Sequence, residues 1–257
     1  MSFWVQLSLQ DSWSPLMTHI SSFHDHAMVV VIMIVSVIMY IILSLSFYPG
    51  FDRKITELES LEVVWTLFPG VVLGFLAIPS LHSLYLLDEV SNPSISIKAV
   101  GHQWYWSYEY TNFSDIEFDS FMSQSDGCES FRLLEVDSNT VVPVSQELRV
   151  VVSSADVIHS WALPSLGVKM DAIPGRLNQV CLYLNRSGLV YGMCSEICGA
   201  MHSFMPICIE AVTLDGFVSW LKSSLINFGY SRNLLVYPIW SVCFYSFGSV
   251  KHANCII

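Results

Sequence analysis

One short stretch of the chain carries every kind of side chain that binds a soft metal ion. The sequence YGMCSEICGAMHSFM ends at Met205 and contains Cys194, Cys198 and His202. Thiolate, imidazole and thioether ligands together select copper over magnesium, calcium or manganese, and a weak thioether is typical of electron-transfer copper sites. One copper ion would need only one of the cysteines. The second cysteine indicates two ions that share both sulfurs, so a second histidine is expected elsewhere in the chain.

Other interpretations of Cys194 and Cys198 exist, namely a disulfide, half of a zinc site, or inert buried thiols. Their spacing alone does not decide between these, because short metal motifs also match by chance. The histidine and methionine nearby, in a loop rich in turn-forming glycine and proline, favour copper. The chain has seven cysteines, an odd number, which excludes a complete disulfide framework and predicts core or tail thiols for the other five.

The elements that position this loop begin with two apolar segments. The chain of 257 residues is 53% hydrophobic and only 13% charged, which is too apolar for an ordinary soluble domain. Residues 27–48 and 63–87 contain no charged side chain, and each run exceeds the roughly 20 residues that cross a bilayer as a helix. A buried soluble helix is the alternative for either run alone. Two consecutive runs predict a permanent transmembrane hairpin within residues 27–90 and a place in the lipid bilayer.

The orientation of this hairpin follows from its charges. The loop between the two runs contains Arg53 and Lys54, whereas residues 1–26 contain no lysine or arginine. Basic loops stay on the inner side of a membrane. We therefore expect the segment 1–26 and everything after Leu87 to face outward.

The outward part, residues 91–228, shows short alternating segments bounded by glycine, proline, serine or asparagine, which is the pattern of β-strands. These segments predict an all-β antiparallel sandwich or Greek-key barrel, closed by a helix at 217–228. The predicted strands are 94–100, 103–110, 131–136, 148–153, 179–184, 189–192 and 207–212.

The missing imidazole is assigned to His159, which is predicted to lie in a turn after the strand 148–153. One histidine near a strand end, followed later by a Cys/His/Met loop, resembles the ligand order of the cupredoxin sandwich. His159 would then supply one imidazole and His202 the other. A lone histidine is more often a satisfied polar residue, and the downstream loop is what favours a ligand here.

Two further features concern the surface of this domain. Residues 104–110 contain five aromatic side chains, most of which are expected to pack on one strand face, although the indole of Trp104 could carry an electron inward. Between residues 109 and 137 eight acidic side chains accompany one arginine. An acidic surface is by default simply solvated, but here it would also steer a basic partner, and it argues against binding nucleic acid.

Together these residues resemble subunit 2 of mitochondrial cytochrome c oxidase. The resemblance covers nearly all of residues 1–228 and implies a two-helix transmembrane hairpin followed by a cupredoxin-like Greek-key sandwich. It depends on several motifs, which are Gln10-Asp11, Phe23-His-Asp-His26, residues 101–110, Leu133-Leu-Glu-Val-Asp137, His159-Ser-Trp-Ala, Asp171-Ala-Ile-Pro-Gly-Arg-Leu-Asn178, and Cys-Ser-Glu-Ile-Cys from Cys194 to Cys198.

The resemblance implies a binuclear centre, copper A, in which Cys194 and Cys198 bridge two copper ions. Its other ligands would be His159, His202, Met205 and the backbone carbonyl of Glu196. The Glu196 side chain would ligate a magnesium ion shared with subunit 1, which holds the haems and the oxygen-reducing site.

Further roles are implied away from the copper ligands. Trp104 would take up electrons from cytochrome c, and Glu62 would lie at the mouth of a proton-uptake channel, although a helix-start glutamate is the simpler interpretation. The acids expected to form the docking surface are Glu109, Asp119, Asp137 and Asp156. The membrane would be the mitochondrial inner membrane, with the copper domain in the intermembrane space. Other oxidase subunits would be neighbours, and oxygen reduction with proton pumping would belong to the whole complex.

Three alternatives to this function can be weighed at the level of sequence. A quinol-oxidase subunit would lack the copper ligands, so their presence here decides against it. A copper-delivery or storage protein would expose its thiols and bind exchangeable copper. A membrane anchor with a zinc-stabilised domain would be redox-silent.

The chain departs from the family in a few places. Met193 stands where the family usually has glutamine, Met201 where it usually has asparagine, and Ala155 where it usually has an acid. The two methionines remove hydrogen-bonding groups beside the metal loop, which predicts a shifted reduction potential. Residues 229–257 extend beyond the usual end, and their role is open between an interfacial segment, a subunit contact and a disordered tail.

Overall fold

The N-terminal part of the fold is a pair of long apolar helices. The computed structural model describes residues 6–48, 50, 57–88, 92–113, 116–123 and 131–227. Helix α1 spans Pro15–Phe47 and helix α2 spans Glu59–Asp88. Both are long and apolar enough to cross a membrane, and the most apolar window of each has no buried residue. The predicted span 63–87 lies within α2, and the predicted span 27–48 ends one residue after α1 does. The basic loop at 53–54 and the tail 229–257 lie outside the described residues.

Helix α1 begins twelve residues before the apolar run, and its first turn explains why. Ser14 caps the helix by accepting the Met17 N–H at 2.9 Å, and Pro15 occupies the first turn, where a missing N–H costs nothing. The Ser14 hydroxyl also donates to the carbonyl of Leu166 at 2.7 Å. Sequence reasoning followed only hydrophobicity and therefore missed the polar first turns. The capping contact ties the start of α1 to the outer domain.

The outer domain contains two five-stranded sheets that pack face to face. One sheet has the order β3-β2-β1-β5-β8 and the other the order β4-β10-β9-β6-β7. The strands are β1 Ile95–His102, β2 Tyr105–Tyr110, β3 Glu117–Ser120, β4 Thr140–Pro143, β5 Glu147–Ser154, β6 His159–Leu163, β7 Val168–Ala172, β8 Asn178–Tyr183, β9 Gly188–Cys194 and β10 Pro206–Val212. The final helix, α3, spans Leu214–Asn227.

The predicted sandwich is confirmed, with two corrections. Neither sheet is purely antiparallel, because β1 pairs with β5, and β4 with β10, in parallel. The predicted strand 131–136 is wrong, since Leu133 adopts a φ of 65° within a turn and only Val136 makes a bridge, to Met122. A positive φ interrupts an extended chain.

The core lies between the two sheets and is aromatic on one side. Trp106, Tyr108 and Tyr110 of β2 are all buried, as the aromatic pattern of this strand predicts. The Trp161 indole N–H donates to the hydroxyl of Tyr108 at 3.3 Å, which joins the two sheets through the core. Burial raises the pKa of both tyrosines far above the ordinary value, so both hydroxyls stay protonated. This packed interior provides a rigid support for the residues that the sequence predicts as metal ligands.

Candidate metal centre

The pairing of β6 with β9 and of β9 with β10 brings the sequence-predicted ligands together. Strands β6 and β9 are antiparallel neighbours, with Trp161 opposite Cys194. His159 precedes Trp161 by two residues, so its side chain points to the same face as that of Cys194. The metal loop leaves β9 after Cys194 and returns at the start of β10, where Met205 lies next to Pro206. Because β9 and β10 are also paired, both ends of the loop lie side by side.

The donor atoms of this loop form one cluster. The Sγ atoms of Cys194 and Cys198 lie 4.0 Å apart, and Cys194 Sγ is 3.9 Å from His159 Nδ1. On the other side, Cys198 Sγ is 3.5 Å from His202 Nδ1 and 3.6 Å from Met205 Sδ. The carbonyl oxygen of Glu196 is 3.3 Å from Cys194 Sγ. All six predicted positions therefore surround one small volume.

The chemistry of this donor set fits copper. The cluster combines two thiols, two imidazoles and a thioether, a soft set that suits copper, whereas hard cations bind oxygen. The Sγ and Nδ1 atoms of His159, Cys194 and Cys198 lie within 4.8 Å of one another, so they can serve common ions. A closed zinc site would also accept the thiols and imidazoles, but a buried thioether is not one of its usual ligands.

His159 differs from its predicted position in a turn. It is the first residue of β6 and is wholly inaccessible to solvent. All five residues of this strand are buried, so the strand has no alternation of polar and apolar side chains by which sequence could reveal it. The strand fixes the imidazole more firmly than a turn would.

Asp156 holds the imidazole of His159 in place. Its Oδ1 lies 2.8 Å from His159 Nε2, and the carboxylate also accepts the N–H groups of Gln103 at 2.7 Å and Val157 at 2.6 Å. With Nε2–H donating to Asp156, the Nδ1 lone pair faces the cysteine sulfurs. Burial opposes the ionised carboxylate, but the bonds from His159 and the backbone outweigh it and lower the pKa of Asp156. A carboxylate behind a ligand histidine is a common arrangement in metal sites.

The two thiols differ in their electrostatic surroundings. Burial raises the pKa of a thiol, but at Cys194 the contacts with His159 and with the backbone at Glu196 and Ser160 outweigh it and hold the pKa at about 6. At Cys198, burial and the neighbouring Cys194 sulfur raise the pKa. The thiolate form is therefore favoured at Cys194, which contacts His159, over Cys198.

Sequence reasoning missed two residues that support the loop. The Gln103 side chain donates to the carbonyl of Cys198 at 2.7 Å. Gly101 lies against the His159 ring, and a Cβ at this position would come within 2.8 Å of His159 Cδ2. Both belong to the motif at residues 101–110, whose conspicuous sequence feature is its aromatic side chains. Their roles depend on a tertiary contact that no local pattern reveals.

Trp104 lies against the metal loop. A Cβ on Gly199, whose φ is +133°, would be 3.0 Å from Trp104 Cζ2, so the glycine lets the indole approach the loop directly after Cys198. The indole is half-buried, and its Nε1 has no hydrogen-bond partner within the described part of the chain. Trp104 is thus partly exposed at the surface and also packs on Gly199, the residue after the ligand candidate Cys198.

The predicted docking acids occupy different environments. Asp119 lies exposed on the edge strand β3, and Asp137 lies exposed while its Oδ1 accepts the Phe121 N–H at 2.9 Å. Glu109 is half-buried and pairs with Lys98 at 2.9 Å across β1 and β2, which reduces its net charge. Asp156 is the only one of the four in contact with a predicted metal ligand. Glu62, far from this surface, is exposed in the first turn of α2.

Family comparisons agree with this arrangement of helices and sandwich. A family model described as "Cytochrome C oxidase subunit II, transmembrane domain" matches residues 2–83, and another described as "Cytochrome C oxidase subunit II, periplasmic domain" matches residues 95–212. The helical hairpin and the ten-stranded sandwich lie largely within these two ranges.

Individual relatives are similar over most of the chain. "Cytochrome c oxidase subunit 2" of Periplaneta americana is 50% identical over 223 residues, which cover 86% of this chain and 98% of that protein. The protein of the same name from Drosophila melanogaster is 50% identical over 226 residues, covering 87% and 99%. The crystal structure of the periplasmic domain of subunit II of cytochrome oxidase from Bradyrhizobium japonicum is 49% identical with a TM-score of 0.51, and it covers 55% of this chain and 99% of that one.

Proposed function

Because the chain belongs to the cytochrome c oxidase subunit II family, we propose that it takes electrons from cytochrome c at a binuclear copper centre and passes them to haem in subunit 1. The cluster of two thiols, two imidazoles and one thioether around a single small volume carries this proposal. The chain is a subunit of an oxidoreductase complex, with two apolar helices and a copper-binding cupredoxin domain. Reduction of oxygen and proton pumping belong to the complex.

Each ligand has a defined part in this proposal. Cys194 and Cys198 would hold the copper pair through their thiolates, His159 and His202 would each supply one imidazole, and Met205 would supply the weak thioether. The carbonyl of Glu196 is the remaining donor. When bound, the copper pair supplies a site that gains and loses one electron at a time.

The protein contributes rigidity and exclusion of water. His159 and Met205 are almost wholly buried, at 0% and 1% exposure, and Cys194 and Cys198 are buried as well. Asp156 fixes the ring of His159, and Gln103 fixes the carbonyl of Cys198. Ligands that are held from behind move little when the charge of the centre changes, so little reorganisation opposes electron transfer.

Glu196 is proposed to join this chain to subunit 1. Its carbonyl faces the cysteine cluster, while its half-exposed carboxylate makes no hydrogen bond or ion pair with any residue that the structure describes. A carboxylate left free at the edge of the loop suits a hard cation such as magnesium, which binds through one or two carboxylates and water. We assign the magnesium ion shared with subunit 1 to this side chain.

Electron uptake from cytochrome c is assigned to Trp104 and the acidic surface around it. The indole packs on Gly199 beside the ligand candidate Cys198, and the residue is partly exposed. The exposed Asp119 and Asp137 supply most of the negative charge that speeds encounters with a basic partner in a salt-dependent way, with smaller contributions from Asp156 and from Glu109, which is paired with Lys98.

The assignment to the mitochondrial inner membrane draws on the insect relatives and the two apolar helices. Both termini of the hairpin would face the intermembrane space, since its connecting loop contains Arg53 and Lys54. Glu62 would then lie at the inner end of α2, at the mouth of a proton channel in the complex.

The burial of the thiols argues against a copper-delivery protein. Delivery requires exposed thiols that exchange copper with a partner, whereas Cys194 and Cys198 are only 6% and 4% exposed. The aromatic and acidic surface would also have no purpose in such a protein.

Metal analysis with electron paramagnetic resonance of the full chain in detergent tests the proposal. We expect two copper ions per chain and, in the one-electron-oxidised form, hyperfine splitting from two copper nuclei. Cys198→Ser should abolish this shared signal, whereas Cys208→Ser, which removes a buried thiol of β10 that forms no hydrogen bond with a ligand candidate among the described residues, should leave it unchanged. Zinc in place of copper, or an unpaired electron on one nucleus, would contradict the proposal.

A further inference from the structure

Among the described residues of the outer domain, Met201 is the only cysteine or methionine that is well exposed to solvent. Met201 is 46% exposed, and it directly precedes the ligand candidate His202 at the start of a short 3-10 turn, His202–Phe204. The other described cysteines and methionines of this domain are buried or half-buried, namely Met122, Met170, Cys181, Met193, Cys194, Cys198, Met205 and Cys208. An exposed thioether beside a metal ligand is thus singular within the described part of the domain.

The buried donors pose a problem for loading the site. His159, Cys194, Cys198 and Met205 are each at most 6% exposed, so an ion that arrives from water cannot touch them without displacing the loop. His202 is half-exposed, and Met201 extends into solvent next to it. These two side chains are the soft donors that such an ion meets first.

We propose that Met201 and His202 form a surface site that captures Cu(I) and passes it to the cysteine pair. The inference rests on the copper centre proposed above. A thioether is a neutral, soft donor, so it binds Cu(I) without losing a proton and releases it readily to a stronger ligand. The usual family residue at this position, asparagine, offers only hard oxygen and nitrogen atoms.

The hand-over requires only an exchange of ligands. His202 Nδ1 lies 3.5 Å from Cys198 Sγ, so His202 keeps its bond to copper while the bond to Met201 Sδ breaks and a bond to Cys198 Sγ forms. The Cys198 thiol releases its proton to solvent in this step. Copper remains Cu(I) throughout, and no electron is transferred.

Met193 offers a matched control for this role. It is adjacent to Cys194 in β9, where successive side chains point to opposite faces, so it faces away from the cluster. It lines a cleft of about 350 Å³ with Tyr191 and Phe131 on the outside of the sheet. Met193 therefore has the same thioether near the loop without access to the metal volume.

Rapid mixing of the reduced full-length chain in detergent with the Cu(I)–glutathione complex measures the loading rate. The rise of copper–thiolate absorption reports transfer to the cysteines. We expect Met201→Leu to load about tenfold more slowly, at the lower end of the losses seen when groups around a metal site are removed. It should reach the same final content of two copper ions, and Met193→Leu should load at the wild-type rate. Equal rates for wild type and Met201→Leu would overturn the inference.

The same assay separates this inference from the proposed function. If the wild-type chain fails to take up a copper pair at all, the copper centre itself is wrong. If all chains fill to the same level at the same rate, the centre stands and the role of Met201 falls.

A second measurement uses the unaltered sequence, in case Met201→Leu folds poorly. Silver(I) binds thioethers as Cu(I) does and is not oxidised, so it can be titrated into the chain labelled with ¹³C at its methionine methyl groups. The Met201 methyl signal should shift at the lowest silver concentrations, before that of the buried Met205. A Met201 signal that stays fixed until Met205 responds would refute capture at the surface.

Discussion

Replacement of Asp156 distinguishes a residue that positions a copper ligand from one that only attracts a partner. The structure gives its carboxylate contacts with His159 Nε2 at 2.8 Å, the Gln103 N–H at 2.7 Å and the Val157 N–H at 2.6 Å. Asp156→Ala removes all three, and the buried imidazole loses the hydrogen bond that orients it. We expect weaker copper binding and an altered copper spectrum, in addition to any loss of negative surface charge.

The size of this effect follows from the contact with His159. A hydrogen bond to a charged group contributes about 1.5–3 kcal/mol, equivalent to roughly 10- to 100-fold in metal affinity. One third of the Asp156 side chain is exposed, whereas His159 is fully buried, so solvent weakens the bond on one side only. The lower half of the range is therefore expected, about 10- to 30-fold. Asp156→Asn retains a carbonyl oxygen for Nε2–H and should lose less.

Competition with a Cu(I) chelator of known affinity measures the change in the full chain. Asp119→Ala is the matched control, because it removes the same charge from an exposed site without touching a ligand. Only the rate of reaction with cytochrome c and its salt dependence should change in that variant. If Asp156→Ala kept wild-type copper affinity and spectrum and merely matched Asp119→Ala in cytochrome c kinetics, the positioning role would be refuted.

Three further predictions concern the surroundings of the site. Gly101→Ala should lower the free energy of unfolding by about 1–3 kcal/mol in chemical denaturation and displace the ring of His159, because the new Cβ would lie 2.8 Å from its Cδ2; unchanged stability would show that the ring yields freely. Trp104→Phe should slow electron transfer from cytochrome c in stopped-flow measurements and leave the copper spectrum intact, and an unchanged rate would remove Trp104 from the pathway. Cys208 should resist alkylation at pH 8 in the native chain, since burial raises its pKa to about 12 and the reactive thiolate forms only as the pH approaches that value; mass spectrometry that finds Cys208 modified before unfolding would contradict this.

Much of the fold could be predicted from periodicity, and the strands that could not are the short ones. Six strands with at least six residues and both helices appear where apolar runs and alternation place them. The missed strands β3, β4, β6 and β7 have only four or five residues, and β4 and β6 are buried throughout. A strand that is covered on both faces does not need to alternate polar and apolar side chains. The period of two that identifies a strand is then missing from its sequence.

Some residues of the site could likewise be predicted from the local sequence, whereas others depend on tertiary contacts. The types and spacing of Cys194, Cys198, His202 and Met205 predict a cluster because one loop carries them all, and the structure brings them together. Asp156 was predicted to attract a partner, and its bond to His159 was not foreseen, although a carboxylate three residues before a ligand histidine is a signal that could have revealed it. Gln103 could not be predicted, because its partner is a backbone carbonyl 95 residues away.

The contacts of Gln103 also determine which substitutions at its neighbour are informative. Its backbone N–H bonds to Asp156 and its side chain bonds to the Cys198 carbonyl, so the turn between β1 and β2 links the support of His159 to the centre of the metal loop. Trp104 follows directly and packs on Gly199. Trp104→Ala would therefore leave a cavity beside this link, and the loop would move together with any loss of electron transfer. Phenylalanine preserves most of the packing while it removes the indole. Slow transfer with an intact copper spectrum in Trp104→Phe would thus report on the indole itself, whereas slow transfer in Trp104→Ala would not separate loss of the indole from movement of the loop.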